Sequence, residues 1–428
     1  MSNIQLYKHQ KQALELTEGR NKVAYYLDMG LGKTFVGSEK AMNLGIDILL
    51  VCQKSKIDDW KHHFFEYYID KLKCDESGAW CYDLTGSSGM DMFLHSRYKI
   101  KIGIINYELA WRRPELLNLK DFTLMLDESS QIKDETAKKS RFILKLKAKN
   151  NILLSGTPVS GKYEELWSQC RLLGWDISKR LFYDQFIILK KLDIGDYSVP
   201  IVVGYKNTDR LKSKLREHGA VFKKSDEVFD LPKQVEQVIK VANTKEYKRF
   251  KKDRLVEVEG KRLIGDMTLN RMLYERMLAS QYNTAKLKAL EDLINSTNDR
   301  LIIFYNFNEE LERIKRLVGD RAISEINGRC KDLKAYENEQ SSITLIQYTA
   351  GSMGLNLQKA NKIVYFSLPL SSELMEQSKK RIHRIGQYQT CFYYYLITDK
   401  SIDEKIMNVL KERKDYTNKL FEEEMYEK

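Results

Sequence analysis

Two short clusters of residues, one near each end of the chain, have the composition needed to act on a phosphorylated ligand. The first consists of Asp28, Met29, Gly30, Leu31, Gly32, Lys33 and Thr34. Its glycines would let main-chain N–H groups approach phosphate oxygens, Lys33 could reach the β- and γ-phosphates, and the Thr34 hydroxyl could bind Mg²⁺. The second cluster, residues 381–387, offers Arg381 and Arg384 to the same phosphates. Together they predict an ATP-driven machine in which hydrolysis is tied to movement between two domains.

The first cluster lies in the sequence context of a phosphate-binding loop. An apolar run at 23–27 predicts a strand before it, and an amphipathic stretch predicts a helix after it. The general pattern has a glycine five residues before Gly32, where this chain has Leu27. The flanking strand and helix nevertheless favour a phosphate loop over a coincidental match.

Two carboxylates could complete the chemistry. Asp127 and Glu128 follow an apolar run at 124–126, at the carboxyl edge of a predicted sheet, where open α/β folds bind ligands. Asp127 could hold Mg²⁺ together with Thr34, and Glu128 could orient or deprotonate the attacking water. The alternative is an exposed Asp-Glu turn, which the preceding strand and the upstream Lys33 make less favourable.

The elements that must position these groups belong to the α/β class. Apolar runs alternate with amphipathic stretches, which is typical of strand–helix units around parallel sheets. The predicted strands of the first series are 23–27, 48–52, 102–106, 123–126 and 151–155. Those of the second series are 301–305, 322–326, 344–347, 363–366 and 392–397. The two series suggest two copies of one fold.

The length of 428 residues predicts two lobes, which we place at 1–230 and 231–428. The first lobe is expected to carry a small insertion at about 175–225 and the second a helical insertion at about 245–285. A long C-terminal helix at about 401–424 is expected to pack back on the core as a brace. The apolar face of this helix is predicted to consist of Ile402, Ile406, Val409 and Leu410.

Composition limits the classes of partner. The 72 Lys and Arg residues exceed the 60 Asp and Glu residues, so the net charge of +12 suits a polyanion but also a solvated basic surface. The six cysteines form no Cys-x-x-Cys pair, which argues against a zinc site. The apolar runs are too short to span a membrane and the N-terminus lacks the apolar core of a secretion signal, so a cytoplasmic protein without membrane contact is expected.

Further motifs make a family resemblance specific. In order they are Gln10, DMGLGKT (28–34), LLVCQKSKIDDW (49–60), LDESSQIKD (126–134), LLSGTP (153–158), EELW (164–167), LPK (231–233), LIIFYNF (301–307), TAGSMGLNLQKA (349–360) and QSKKRIHRIGQ (377–387). This series resembles the helicase-type motifs of the Swi/Snf-type ATPases of helicase superfamily two, in a compact form similar to those encoded by bacteriophages. The resemblance implies two RecA-like lobes, ATP and Mg²⁺ as cofactors, and DNA-dependent ATP hydrolysis.

The resemblance also implies roles for single residues of the first lobe. Gln10 matches the glutamine that reads adenine and gives a preference for ATP over GTP. Ser155, Gly156 and Thr157 match the motif that senses the nucleotide state and links it to the bound strand.

In the second lobe, Gly354 and Asn356 match the motif that contacts both ATP and the tracked strand. Gln377, Arg381 and Arg384 match the last motif, whose arginines complete the ATPase site when the lobes close. The two arginines are three residues apart and would share a face if this segment is helical. A basic helix end on the surface is the alternative.

The chain departs from the family pattern at two places. Ser129 and Ser130 follow the carboxylates, where a small residue and a histidine are usual. Lys223 and Lys224 precede the LPK motif in place of an arginine pair, which keeps the charge but loses bidentate geometry.

The implied track is double-stranded DNA, and forked or branched DNA is a variant of it. Polar residues at predicted strand ends are the candidate contacts: Lys54, Asn106, Tyr107, Gln347 and Thr349. Basic clusters at 138–141 and 248–252 could add contacts, or could be solvated helix faces. Nothing resembles an appended nuclease or chromatin reader, so a replication or nuclease protein is a candidate partner. We expect a monomer in the cytoplasm of a bacterial or phage-infected cell.

Three functions fit these residues. The first is an ATP-dependent translocase on duplex DNA that serves replication, recombination or the remodelling of protein–DNA complexes. The second is a strand-separating helicase, which needs a wedge element that no segment of the sequence identifies. The third is an ATP-gated clamp or adaptor, which would not need Glu128, Arg381 and Arg384.

Overall fold

The computed structural model describes residues 5–72, 80–96, 98, 100–194, 197–348 and 355–421. The chain divides after Val228 into two compact units, and the second runs from Phe229 to Lys414. Each unit is built around its own mainly parallel sheet, with helices in the connections. This arrangement confirms the predicted α/β class.

The first unit is organised by a parallel sheet. Its described strands are β1 (Lys22–Leu27), β2 (Ile48–Cys52), β3 (Cys81–Asp83), β4 (Ile102–Asn106), β5 (Thr123–Asp127), β6 (Asn150–Ser155), β7 (Ile187–Ile194), β8 (Tyr197–Tyr205) and β9 (Ala220–Lys223). Its described α-helices are α1 (Lys8–Glu15), α2 (Lys33–Leu44), α3 (Ile57–Leu72), α4 (Ser87–His95), α5 (Tyr107–Ala110), α6 (Lys138–Lys145), α7 (Trp167–Leu172), α8 (Lys179–Phe186) and α9 (Thr208–Glu217). The sheet has the order β3-β4-β2-β5-β6-β1-β9 with parallel pairing throughout. Because β5, β6 and β1 are neighbours, the residues that follow them meet at one edge.

The second unit repeats this plan. Its described strands are β10 (Gln234–Val241), β11 (Leu255–Val258), β12 (Lys261–Ile264), β13 (Leu301–Tyr305), β14 (Ile323–Ile326), β15 (Lys331–Asp332), β16 (Ile343–Gln347), β17 (Lys362–Tyr365) and β18 (Cys391–Thr398). Its described α-helices are α10 (Lys245–Asp253), α11 (Thr268–Ala279), α12 (Thr284–Asn295), α13 (Asn308–Leu317), α14 (Lys334–Asn338), α15 (Ser372–Lys379) and α16 (Ile402–Phe421), of which residues 402–414 belong to this unit. The main sheet has the order β10-β18-β17-β13-β16-β14-β15, and only β15 pairs in the antiparallel sense among its described strands.

All ten strands predicted from the sequence are present. Most of their residues are buried, and all are in β2 and β13, because strands covered on both faces have uninterrupted apolar sequences. The strands β3, β9, β10 and β15 were missed. They are short or, like β10, lie at a sheet edge with many side chains exposed, so the apolar signal is weak.

The two predicted insertions contain strands as well as helices, and a possible short strand was foreseen only at 199–205. The segment 175–225 contains the antiparallel hairpin β7–β8, and its β9 belongs to the main sheet beside β1. The segment 245–285 contains a second hairpin, β11–β12. Short two-stranded pieces give little periodicity, so sequence alone does not separate them from loops.

The helix α16 packs on the core of the second unit through Ile402, Ile406 and Leu410. Val409, which was placed on the same face, is 41% exposed, whereas Met407 is buried. Asp403 anchors the start of the helix through a buried ion pair with Lys286, at 2.6 Å between Oδ2 and Nζ. Among the described residues no helix combines the length and the apolar character needed to cross a membrane.

Candidate active site

The phosphate-loop residues form the turn between β1 and α2. Gly32 caps α2 with φ 73° and Gly30 has φ 87°, a left-handed conformation that glycine adopts without steric cost. A Cβ at Gly32 would also collide with the side-chain amide of Gln10. Leu27, at the position of the missing first glycine, is the fully buried last residue of β1. The structure therefore requires glycine at 32 but not at 27.

The N-terminal helix α1 is tied to this loop. Gln10 Nε2 donates to the main-chain oxygen of Leu31 at 3.1 Å, and His9 Nε2 lies 3.0 Å from the same oxygen. Gln10 Oε1 accepts from the Tyr7 main-chain N–H at 2.9 Å. A side chain predicted to read adenine is thus also joined to the phosphate loop.

Polar groups around the loop position its two charged residues. Lys33 Nζ donates to the Leu27 carbonyl oxygen at 3.0 Å and lies beside Gly156, where a Cβ would come within 3.1 Å of it. Asp28 Oδ2 accepts from the Ser225 hydroxyl at 2.7 Å. The residue after β6 therefore has to be small for Lys33 to occupy this position.

The two carboxylates at the end of β5 are held separately. Trp60 Nε1 donates to Asp127 Oδ2 at 2.8 Å. Burial raises the pKa of Asp127 above its ordinary value, and the Trp60 hydrogen bond and the nearby Lys33 oppose that rise.

Glu128 has φ 59° in the left-handed region, which is uncommon for a residue with a side chain and is typical of functional sites. Its Oε1 accepts from the hydroxyls of Ser155 at 2.7 Å and Ser130 at 3.3 Å. The strained backbone and two donors fix this carboxylate at the edge where β5 and β6 end.

The predicted residues of the second unit are arranged differently from the expectation. The helix α15 ends at Lys379, so Arg381 and Arg384 follow the helix and do not share one of its faces. Arg381 is 2% exposed and its Nη1 donates to the Leu355 carbonyl oxygen at 3.4 Å. Arg384 is half-buried and its Nη1 donates to Asn356 Oδ1.

Gln377, on α15, is buried and donates to Glu373 Oε1 at 3.3 Å. Gly354 and Thr349 lie outside the described residues. The structure thus brings Arg384 and Asn356 together, whereas Arg381 supports the main chain next to Asn356.

Comparison with known proteins agrees with this geometry. Residues 4–296 match the SNF2-related domain and residues 285–386 match the helicase conserved C-terminal domain. The chain belongs to the SNF2-related family. This confirms the resemblance found in the motifs.

Several curated relatives of this SNF2-related chain are longer proteins. The DNA repair and recombination protein RAD26 of Saccharomyces cerevisiae is 26% identical, over 68% of this chain and 31% of RAD26. The ISWI chromatin-remodeling complex ATPase ISW2 of the same yeast is 24% identical, over 89% of this chain and 37% of ISW2. A Sulfolobus solfataricus SWI2/SNF2 ATPase core, solved in complex with dsDNA, shares 19% identity at a TM-score of 0.45, over 97% of this chain and 92% of that one. The chain spans 31–46% of the length of six such curated relatives.

The candidate DNA contacts of the SNF2-related chain fall into two groups. Lys54 is exposed and Gln347 is half-buried, with Nε2 donating to the Asn306 oxygen at 3.0 Å. Asn106 and Tyr107 are 3% and 1% exposed. The Tyr107 hydroxyl donates to the Asp127 carbonyl oxygen at 3.0 Å, so it supports the carboxylates and does not present a surface to DNA.

Two supporting residues escaped the sequence analysis. Trp60 was quoted only as part of a motif, although it holds Asp127. Gln169 on α7 accepts from the hydroxyls of Tyr26 and Ser129, at 2.8 Å each, and donates to the Pro158 oxygen at 2.7 Å. Gln169 thus links β1 and the segment after β6 to Ser129, which follows β5, in this member of the SNF2-related family. No local signal marks Gln169, because its partners are distant in sequence.

Proposed function

We propose that the chain is an ATP-dependent translocase on double-stranded DNA, in which ATP hydrolysis is coupled to closure of the two units. The observation that carries this proposal is the hydrogen bond from Ser155 to Glu128, beside Lys33 and Asp127. It joins the carboxylate suited to orient water to the segment that, in the resembling family, senses the nucleotide. Membership of the SNF2-related family supports the same reading.

The residues present suit a bound Mg²⁺. The Asp127 carboxylate and the Thr34 hydroxyl are oxygen ligands, and no group of three or more His, Cys, Asp or Glu that could hold a metal is found among the described residues. Mg²⁺ commonly binds through one or two protein oxygens, water and substrate phosphates, so a small donor set is adequate. When bound, the ion would neutralise charge on the β- and γ-phosphates.

The protein groups then have distinct tasks. The main-chain N–H groups after Gly30 and the Lys33 ammonium would bind phosphate oxygens. Lys33 would then give up its hydrogen bond to the Leu27 carbonyl oxygen and donate to phosphate instead. Glu128 would accept a hydrogen bond from the attacking water and orient it. Arg384 would stabilise the charge that develops on the transferred phosphoryl group.

We expect Trp60→Phe to weaken the Mg²⁺-dependent part of nucleotide binding by about ten-fold, because residues that orient a metal ligand typically contribute 10–100-fold to metal affinity. The measurement is the affinity for a fluorescent ATP analogue with Mg²⁺ and with EDTA. Trp167→Phe is the matched control, since its Nε1 donates to the Ile177 carbonyl oxygen at 3.0 Å. An equal loss with and without Mg²⁺ would show that Trp60 only supports the fold.

We expect duplex DNA to stimulate ATP turnover more than a single strand of equal length. The reason is that a motor that holds both strands should adopt its closed, hydrolysing arrangement most readily on duplex. The stimulation should decline as salt increases and should depend little on base sequence. ATP turnover with no nucleic acid, single strands, duplex and forked DNA measures this. The motor should also displace a triplex-forming third strand without separating a blunt duplex. Stimulation by single strands equal to that by duplex contradicts the translocase.

One structural feature favours the strand-separating alternative. Among the described strands, β7 and β8 pair only with each other, and their described side chains from 188 to 203 are all exposed, including Leu192 at 47% and Ile201 at 36%. Aliphatic side chains can insert between base steps and unstack them. If forked DNA is unwound efficiently, and the double variant Leu192→Ser/Ile201→Ser loses that unwinding but keeps third-strand displacement, the helicase is the better description.

A role in replication, recombination or the remodelling of protein–DNA complexes is part of the proposal. The name of RAD26 refers to DNA repair and recombination and that of ISW2 to chromatin remodelling, and both support a DNA substrate in the family. An ATP-gated clamp remains the alternative of another class. A clamp needs no positioned water, so it gives no reason for the strained and doubly hydrogen-bonded Glu128.

A further inference from the structure

The exposed side of α10 is strongly basic. Between Lys245 and Arg254 the sequence contains six basic and two acidic side chains. All eight are exposed, whereas Tyr247 and Phe250 on the other side are buried at 1% and 0%. We call Lys248, Lys251, Lys252 and Arg254 the basic face of α10. The helix α10 is therefore amphipathic, with buried aromatic side chains on its inner side and cations on its outer side.

The charges of this face are not compensated within the described part of the chain. Arg249 pairs with Asp253 at 3.8 Å, but no ion pair within 4 Å is found there for the four residues of the basic face. Lys248 and Lys252 are four residues apart, a spacing at which like charges destabilise a helix. The helix dipole favours cations in the last turn, but Lys248 lies before that turn. The helix thus keeps a like-charge pair that its own stability does not need.

Arg254 adds a second unfavourable feature. It follows the end of α10 with φ 56° in the left-handed region, where helices usually have glycine. The chain does use glycine at the equivalent position of α2, where Gly45 has φ 69°. A cation kept in a strained backbone conformation is a reason to look for a ligand of that cation.

We propose that the basic face of α10 binds the phosphate backbone of duplex DNA, as an anchoring contact in addition to those expected at the strand ends. The inference rests on the proposed function and specifies where the second unit holds its track. Side chains at i and i+4 are about 6 Å apart on a helix surface, so Lys248 and Lys252 can contact neighbouring phosphates. Lysine side chains at such a surface bind phosphates without regard to base sequence.

The first test is the double variant Lys248→Gln/Lys252→Gln. We expect an affinity for duplex at low salt that is about ten-fold weaker. The slope of log affinity against log salt concentration should fall by about two, which corresponds to two fewer ions released on binding. ATP turnover at saturating duplex should stay unchanged, because neither residue belongs to the active site. The matched control is Lys240→Gln/Lys288→Gln, in which two lysines with exposed fractions of 60% and 65% already pair with carboxylates. A loss no larger than that of the control overturns the inference.

The second test uses Arg254→Gly, for which the inference predicts effects of opposite sign. The midpoint of thermal unfolding should rise by about 2 °C as the strained conformation is relieved, while duplex affinity falls several-fold. Lys400→Gly is the control, because exposed Lys400 also has a left-handed φ of 51°. It should raise the midpoint without changing duplex affinity. Reduced affinity in both variants, or in neither, contradicts the inference.

Competition by polyglutamate separates DNA from other polyanions. If polyglutamate displaces duplex from the wild type as well as unlabelled duplex of equal charge does, the face is not a DNA site and the inference fails. If the wild type does not bind duplex at all, the proposed function fails. Duplex binding that is insensitive to all variants of the face overturns only the inference.

Discussion

Replacing Glu128 with glutamine is expected to lower the rate of ATP turnover by about 10²–10⁴-fold while ATP binding is retained. Glutamine has nearly the same shape and can still accept from Ser155, but it cannot act as a base towards water. The measurement is a pair of constants, the affinity for ATP and the single-turnover rate of hydrolysis with saturating duplex. Lys33→Ala should instead abolish turnover and weaken binding, since it removes the ammonium that contacts phosphate.

The matched control for this experiment is Glu108→Gln. Glu108 lies in the same unit, just after β4, and its side chain is 63% exposed. Glu108→Gln therefore removes the same charge at a position outside the phosphate loop. It should leave turnover within about two-fold of the wild type, as expected of an exposed carboxylate. Hydrolysis by Glu128→Gln at the wild-type rate would show that another group orients the water.

Arg384→Ala is expected to reduce single-turnover hydrolysis by about 10³-fold or more with a much smaller effect on ATP affinity, because such arginines act mainly on transition-state charge. Arg384 is half-buried and its hydrogen bond to Asn356 fixes the guanidinium. Arg384→Lys should recover little, since lysine keeps the charge but not the bidentate geometry.

Arg381 provides an internal comparison. It is buried and donates to the Leu355 oxygen, so Arg381→Ala should also lower the free energy of unfolding of the second unit. Arg316 on α13 is exposed, so Arg316→Ala should change neither the rate of hydrolysis nor the free energy of unfolding. Equal losses of ATP affinity and of hydrolysis in Arg384→Ala would contradict an arginine that acts on the transition state.

The site could be predicted in part because its residues are adjacent in sequence. Lys33 and Thr34 follow the glycines directly, and Asp127 and Glu128 end an apolar strand. Side chains in such motifs are placed by a single strand–turn–helix unit, so local sequence is sufficient. The mistaken helical pair of Arg381 and Arg384 shows the limit of this reasoning, because a spacing of three residues indicates a common face only where a helix continues.

The sequence by itself determined the two parallel sheets and the motifs at their edges, since fully buried strands and phosphate loops have strong local patterns. Only the tertiary structure decided that Trp60 holds Asp127, that Ser155 holds Glu128, and that Tyr107 lies under the carboxylates instead of facing DNA. Those contacts join residues 20 or more positions apart, which the neighbouring order of β4, β2, β5 and β6 in the sheet brings together. A strand at 199–205 could be suspected from the sequence, but its pairing with β7 and the exposure of the hairpin could not, because exposure depends on what the rest of the fold leaves uncovered.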